Sequence, residues 1–140
     1  MAETSSTDNV YMDEPWLLLR WDGEHRCVFA EWKGFATSAE FQGALLKALQ
    51  VVRERRATSF VNDTRKLELV SDEDQIWLRY TWPPLAIEAG LRRLAVVIAK
   101  SGLSKMAIED MFKRRRKTVL QSRTFDSLAD AFKWMVEPGG

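Results

Sequence analysis

Cysteine and histidine are almost absent from this chain of 140 residues, because each occurs once, as Cys27 and His25. A single cysteine excludes a disulfide within the chain and a metal site built from several thiolates. The histidine falls in a predicted turn beside Glu24 and Arg26, where a lone histidine is usually solvated. No base stands in a recognisable pattern with a nucleophile, so we expect no enzymatic activity. The low cysteine content also agrees with a reducing compartment, and we expect a cytoplasmic protein.

An excess of one charge and a long apolar run are missing as well. Lysine and arginine number 21 and aspartate and glutamate 20, so the net charge is +1 and predicts no general attraction to nucleic acid. The longest apolar run, within residues 91–100, is too short to span a bilayer, and the acidic start is unlike a signal peptide. The basic run at residues 113–117 could contact phosphates or an acidic partner, but cations are favoured at a helix C-terminus in any case. The aromatic interleaving that single-strand binders use is missing from it. We therefore expect neither a nucleic-acid partner nor a membrane span.

What is present is typical of one soluble domain, with 46% hydrophobic and 29% charged residues. Residues 1–14 are rich in Ser, Thr and acidic residues without periodicity, which predicts a disordered N-terminal tail. Residues 15–136 are predicted to form the single domain, and residues 137–140 a frayed C-terminus.

Strand and helix signals alternate along this domain. Asp22 and Gly23 mark a turn between the apolar runs "WLLLRW" and "CVFAEW", which predicts an antiparallel hairpin. Further strands are predicted at "ATSFVND", at "LRRLAVVIA" and at "QSRTF", and the second of these is apolar enough to be central and buried on both faces. Helices are predicted after each later strand, including one from Ser104, and capping boxes occur at Thr37 with Glu40, Ser71 with Asp74, and Ser127 with Asp130. The order β-β-α-β-α-β-α-β-α predicts an α/β fold, with a mixed β-sheet flanked by helices.

The strand "SFVND" ends in a row of polar side chains, which makes Asp63, Thr64 and Arg65 the candidate switch or functional loop. The residues alone leave an active site, a phosphorylation switch and a well-capped junction open. A hard-metal cluster of Asp63 with the acidic triplet at residues 72–74 is a weaker alternative, because helix capping and the helix dipole explain the triplet. No Gly-rich phosphate loop, nucleophile elbow or metal-ligand spacing occurs, so we predict no catalytic residue, no metal and no cofactor.

Six tryptophans are an unusual feature of the composition. Most are expected to pack in the core or against the sheet, each with a partner for its indole N–H. Trp77, Tyr80, Trp82 and Leu85 surround a Pro-Pro break and are predicted to line a groove for a ligand or a partner. The surplus of tryptophan and methionine also motivates the prediction of a homodimer.

The chain resembles the SpoIIAA-like branch of the STAS superfamily, the small bacterial proteins of STAS/SEC14 type. The resemblance covers roughly residues 16–136, most of the chain. It is carried by the hairpin "WLLLRWDGEHRCVFAEWKG", the amphipathic helix that follows it, the strand end "FVNDTRKLELVSDED" and the apolar strand "GLRRLAVVIAK". It implies a mixed sheet of about five strands with flanking helices, acting in regulation or ligand sensing without catalysis.

The resemblance also suggests roles for the candidate loop. In STAS anti-sigma antagonists the equivalent strand ends in Asp, followed by a phosphorylatable hydroxyl at a helix N-terminus, and Asp63 and Thr64 match these two positions. Here Arg65, Lys66 and further residues intervene before the cap at Ser71. We therefore predict a non-enzymatic regulatory or protein-interaction module, with a homodimer or another protein as partner. The alternative, implied by the SEC14-like half of the family, is a carrier or sensor of a small apolar ligand.

Overall fold

The structure, a computed structural model, describes residues 9–68, 70–99 and 119–138. Within these residues, six strands form one mixed sheet in which the spatial order follows the chain order. The first three strands pair antiparallel, and the third to the sixth pair parallel. The strands are β1 Val10–Glu14, β2 Leu17–Asp22, β3 Cys27–Trp32, β4 Ser59–Asp63, β5 Arg93–Val97 and β6 Gln121–Phe125. The predicted mixed α/β fold is confirmed, with six strands where the resemblance implied about five.

The described helices are α1 Ser38–Arg55, α2 Asp72–Tyr80, α3 Trp82–Ala89 and α4 Leu128–Met135. The capping box predicted for α1 is present, because the Thr37 hydroxyl accepts from the Glu40 N–H at 3.2 Å and the Glu40 carboxylate accepts from the Thr37 N–H at 2.9 Å. The Pro-Pro pair lies in the first turn of α3, where the missing N–H has no intrahelical partner to lose. The helix predicted from Ser104 and the basic run at 113–117 lie outside the described residues.

Residues 10–14 form a strand, so their assignment to a disordered tail is wrong. Strand β1 pairs antiparallel with β2 along the edge of the sheet. Tyr11 also fastens it to α1, because its hydroxyl donates to Glu54 Oε2 at 2.6 Å and accepts from Arg55 Nε at 2.9 Å. The sequence conceals this strand because it ends in the charged residues Asp13 and Glu14, followed by Pro15, although its pairing partner β2 begins at Leu17. Residues 1–8 of the predicted tail lie outside the described residues.

The sheet separates two apolar clusters. The larger lies beneath α1 and α3, and the smaller lies beneath α4. Adjacent residues of β4 alternate between them, with Phe60 in the larger and Val61 in the smaller, as the two-residue period of a strand requires. All five residues of β5 are buried, as its apolar run predicts, and β5 lies between β4 and β6. Because β3, β4 and β5 run parallel, their carboxyl ends lie along one end of the sheet, where the candidate loop begins.

Candidate functional site

The candidate loop starts at Asp63, the last residue of β4, whose side chain is 4% exposed. Within the described part of the chain its carboxylate accepts hydrogen bonds from Arg65 alone, from the backbone N–H at 3.2 Å, Nε at 2.9 Å and Nη2 at 2.7 Å. The hydrogen bonds to Asp63 raise the pKa of the Arg65 guanidinium, although its partial burial opposes this. The charge of Glu31 also raises it. The guanidinium thus bonds both carboxylate oxygens, the bidentate geometry typical of a strong Arg–carboxylate pair.

Thr64 is buried directly beyond the end of β4, with 4% of its surface exposed. Its hydroxyl donates to the carbonyl oxygen of Val97 at 2.8 Å, and its backbone N–H donates to the same oxygen at 2.8 Å. The next helix, α2, has its own N-cap at Ser71. The Thr64 hydroxyl therefore lies neither on the surface nor at a helix N-terminus, and this placement does not suit phosphorylation.

A second buried carboxylate, Asp74, joins α2 to α1. It accepts from Ser38 Oγ at 2.7 Å and from Gln42 Nε2 at 2.9 Å, while its backbone N–H donates to Ser71 Oγ at 3.1 Å. The capping box predicted here is thus only half correct. The serine caps the helix, but the carboxylate binds α1 instead of reaching back, because α1 offers it two donors. These bonds fix which side of α2 faces the domain.

The turn between β2 and β3 brings together three side chains that could ligate a metal, Asp22, Glu24 and His25, with their ligand atoms within 4.8 Å of one another. Asp22 Oδ1 accepts from the backbone N–H groups of Glu24 and His25 at 3.0 and 3.2 Å, and Oδ2 lies 3.0 Å from His25 Nδ1. The imidazole stacks on Phe132 of α4, with ring centroids 4.4 Å apart. These contacts close the turn and hold it against α4, so we interpret the cluster as structural. No other such group of three is found in residues 9–68, 70–99 and 119–138, and the acidic cluster considered from the sequence does not form there.

Cys27 follows this turn and is fully buried in the smaller cluster. Burial, together with the charge of Asp22, raises the pKa of its thiol to about 12. The thiol is therefore protonated near neutral pH and is a poor nucleophile there.

The four residues predicted to line a groove do not act as one wall. Trp82 is 2% exposed and packs against Phe60, with ring centroids 6.2 Å apart. Its indole N–H donates to the carbonyl oxygen of Leu45 in α1 at 3.1 Å. Trp77 and Leu85 are half-buried against the same core. Trp82 is thus a core residue that joins α3 to α1. The sequence alone did not show whether this tryptophan packs in the core or lines a groove.

The outer side of α2 exposes two large apolar side chains, Ile76 at 57% and Tyr80 at 66%. They are four residues apart and therefore lie on one face of the helix, beside the half-buried Trp77. We call Ile76, Trp77 and Tyr80 the α2 surface. Ile76 was missed from the sequence, although its i, i+4 spacing to Tyr80 could have indicated it. Single exposed apolar residues are common, whereas this pair is contiguous on a short helix.

No protein-family model matches the sequence, and no curated protein matches it. Among the described residues, no helix is both long and apolar enough to cross a membrane.

Proposed function

We propose that this protein is a non-enzymatic protein-interaction module of the SpoIIAA-like, STAS type, and that it binds a partner protein through the α2 surface. The observation that carries the proposal is the exposure of Ile76 and Tyr80 on one face of α2. The cytoplasm is the compartment proposed for this interaction, and a homodimer is proposed as the protein's own assembly.

The α2 surface has the properties of a partner-binding patch. Asp74 bonds the opposite flank of α2 to α1, so the helix cannot turn its apolar side inward without losing two hydrogen bonds from α1. Isoleucine and tyrosine each remove a large apolar area from water when covered, and tyrosine keeps a hydroxyl for the rim of an interface. A rigid helix that presents both side chains binds with little loss of conformational entropy.

The proposal that the protein is not an enzyme is supported by the hydrogen bonding and burial of the side chains that could act as base or nucleophile. The Asp63 carboxylate is bound by Arg65, the Thr64 hydroxyl donates its hydrogen bond to the carbonyl oxygen of Val97, and the Cys27 thiol is buried and protonated near neutral pH. An acid, base or nucleophile needs a free atom within reach of a substrate, and these three groups lack one.

A carrier or sensor of a small apolar ligand is the alternative. It predicts an enclosed apolar cavity beside Trp77 and Trp82, whereas Trp82 packs in the core and the side chains beside Trp77 are exposed. These placements favour a protein partner over an enclosed ligand. Native mass spectrometry of the purified full chain tests the alternative, because a stoichiometric co-purified small molecule would support it against the interaction module.

The interaction is tested with the double variant Ile76→Asp, Tyr80→Asp in the full chain. Affinity capture with quantitative mass spectrometry should recover a partner with the wild type and lose it with this variant. Isothermal titration with the purified partner should then show a loss of at least about tenfold in affinity, as expected when central apolar anchors are removed. Val136→Asp is the matched control, because it places a carboxylate on an exposed apolar residue that directly follows α4, away from the α2 surface. Equal binding by the double variant and the wild type would refute the α2 surface as the site.

The proposed homodimer is tested separately by sedimentation equilibrium of the full chain. We expect a dimer at protein concentrations of tens of micromolar, roughly the range in which moderate interfaces associate. A monomer at these concentrations would remove the homodimer and leave the α2 surface proposal in place.

A further inference from the structure

An open groove of about 440 Å³ runs between β1 and α1, on the flank of α1 away from α2. Met12 and Trp16 form one wall. Ala39, Gly43, Ala44 and Lys47 contribute to the other. This groove is separate from the α2 surface and has a mainly apolar lining of small and aromatic side chains.

Gly43 is the least expected residue in this wall. It lies inside α1, where glycine is less favourable than alanine because it has more backbone freedom to lose. A Cβ atom built at Gly43 meets nothing within 4 Å, so no described part of the chain needs the side chain to be absent. The missing side chain instead widens the groove and lets another backbone come close to α1.

Two charged side chains, Glu40 and Lys47, line the groove, and only Lys47 is available to pair with a charge on an occupant. Glu40 is committed to the N-cap, because its carboxylate accepts from the Thr37 N–H at 2.9 Å. Lys47 donates to Gln50 Oε1 at 3.3 Å and has no carboxylate within 4.0 Å among the residues that the structure describes. An acidic group on an occupant can therefore pair with Lys47, whereas a basic group would meet an unpaired cation.

The edge of β1 argues against an added strand as the occupant. The pairing of β1 with β2 shifts register between Val10 and Met12, and the exposed Asp13, Glu14 and Pro15 follow at once. Irregular pairing, charges and proline are the features that protect a sheet edge from further pairing. A helix, by contrast, needs no backbone hydrogen bonds from β1. The α1 wall from Ala39 to Lys47 is about 12 Å long, which matches roughly two turns of a partner helix.

We propose that the groove between β1 and α1 binds an amphipathic α-helix of a partner protein, whose apolar face packs on Met12, Trp16 and Gly43 and whose acidic residue pairs with Lys47. This is a second interaction site, independent of the proposed role of the α2 surface. Grooves of this kind typically read apolar residues at i, i+3 or i+4 spacing along the bound helix.

The test uses a display library of helix-forming peptides of about 15 residues, a length at which helices become marginally stable alone. Peptides selected on the full chain should carry apolar residues at i, i+4 spacing and an acidic residue at one end of that face. Their affinity, measured by fluorescence anisotropy, should fall about tenfold or more in Gly43→Leu, which fills the groove, and in Lys47→Glu. Arg53→Glu, with the same charge change on the same helix outside the groove, should bind like the wild type.

Both groove variants should fold, because a side chain at Gly43 enters open space and Lys47 is a surface residue; circular dichroism checks this. The proposal is overturned if no helical peptide is selected, if the selected peptides are basic, or if Gly43→Leu binds them as tightly as the wild type. Loss of binding in the Ile76→Asp, Tyr80→Asp variant would move the site to the α2 surface. If Gly43→Leu instead dissociates a dimer of the chain, the occupant is a second copy and the proposal is wrong.

Discussion

The hydroxyl and the backbone N–H of Thr64 both donate to the carbonyl oxygen of Val97, each at 2.8 Å. Thr64 follows β4 and Val97 ends β5, so one residue joins the ends of two parallel strands. A side chain with this arrangement contributes to the stability of the sheet and is hidden from other proteins. Substitutions at Thr64 should therefore lower the free energy of unfolding.

Thr64→Val removes the hydroxyl but keeps the shape of the side chain. We expect it to lower the free energy of unfolding by about 1 kcal/mol, the usual contribution of one hydrogen bond. Thr64→Glu, which imitates phosphothreonine, places a carboxylate in a buried site and should cost more, about 3 kcal/mol. Urea denaturation measures both, with Thr64→Ser as the control that retains the donor. A Thr64→Glu protein as stable as the wild type would show that this position can accept a phosphate.

Removing Arg65 should destabilise the fold more than removing Asp63. Arg65→Ala leaves a buried carboxylate with one backbone N–H, and we expect a loss of about 1–3 kcal/mol. Asp63→Ala leaves a guanidinium that water can solvate, because the Arg65 side chain is 43% exposed. Urea denaturation of both variants and of the double variant separates the pairwise coupling from the individual effects. A larger loss in Asp63→Ala would contradict the assignment of Asp63 as the desolvated partner.

Stability should fall at alkaline pH because of Cys27. Its pKa is raised from 9.0 to about 12 by burial in the folded protein, so the thiol stays protonated in the folded state while the unfolded chain ionises. A raised pKa stabilises the fold fully below the unfolded value and loses its effect as pH rises toward the folded value. Between about pH 9 and pH 12 the loss approaches roughly 1.4 kcal/mol per pH unit.

This pH dependence is measured by urea denaturation from pH 7 upward, with Cys27→Ala as the control. Other groups also titrate at alkaline pH, but they are shared by both proteins, so the difference between the two curves reports the thiol. The wild type should lose stability more steeply than Cys27→Ala above about pH 9. Parallel curves would show that Cys27 ionises as readily in the folded protein as in the unfolded chain.

Arg93 should hold the C-terminal end of α4 in place. The side chain is buried, and its guanidinium donates to the carbonyl oxygens of Trp134 and of Glu137 while lying over the Trp134 ring. Carbonyls at a helix end lack intrahelical donors and favour a cation. Arg93→Met should lower the free energy of unfolding by about 2 kcal/mol, because bonds from a charged donor are lost.

Hydrogen exchange locates the effect of Arg93→Met. Amides of α4 should exchange faster, whereas those of α1 should change little. Arg123→Met is the control, because the exposed Arg123 also lies over the Trp134 ring. It should cost less than about 1 kcal/mol, as an exposed cation–π contact does. Equal effects of the two variants would mean that the ring contact, and not the carbonyl bonds, is what matters.

Much of the secondary structure could be predicted because its causes are local. The Thr37–Glu40 capping box and the apolar spacing that follows it act within a few residues, and α1 begins where they indicate. Strand β1 was missed because its polar composition hides its pairing with the neighbouring β2, and because the Tyr11 contacts are with Glu54 and Arg55, which are distant in the chain. The candidate loop was placed correctly at the end of β4. The burial of Thr64 was not predicted, because it depends on Val97, which lies 33 residues further along the chain.

The sequence by itself determined the α/β class, the hairpin, the starts of α1, α2 and α4, and the position of the polar loop, because capping, periodicity and turn chemistry act over short stretches. Only the tertiary structure decided what these side chains do. The Asp63 and Asp74 carboxylates and the Trp82 indole are polar groups removed from water, and each needs a partner that folding brings from another part of the chain or fixes beside it. Folding also left Ile76 and Tyr80 exposed and opened the groove at Gly43, since accessibility is a property of the packed domain and not of the residue.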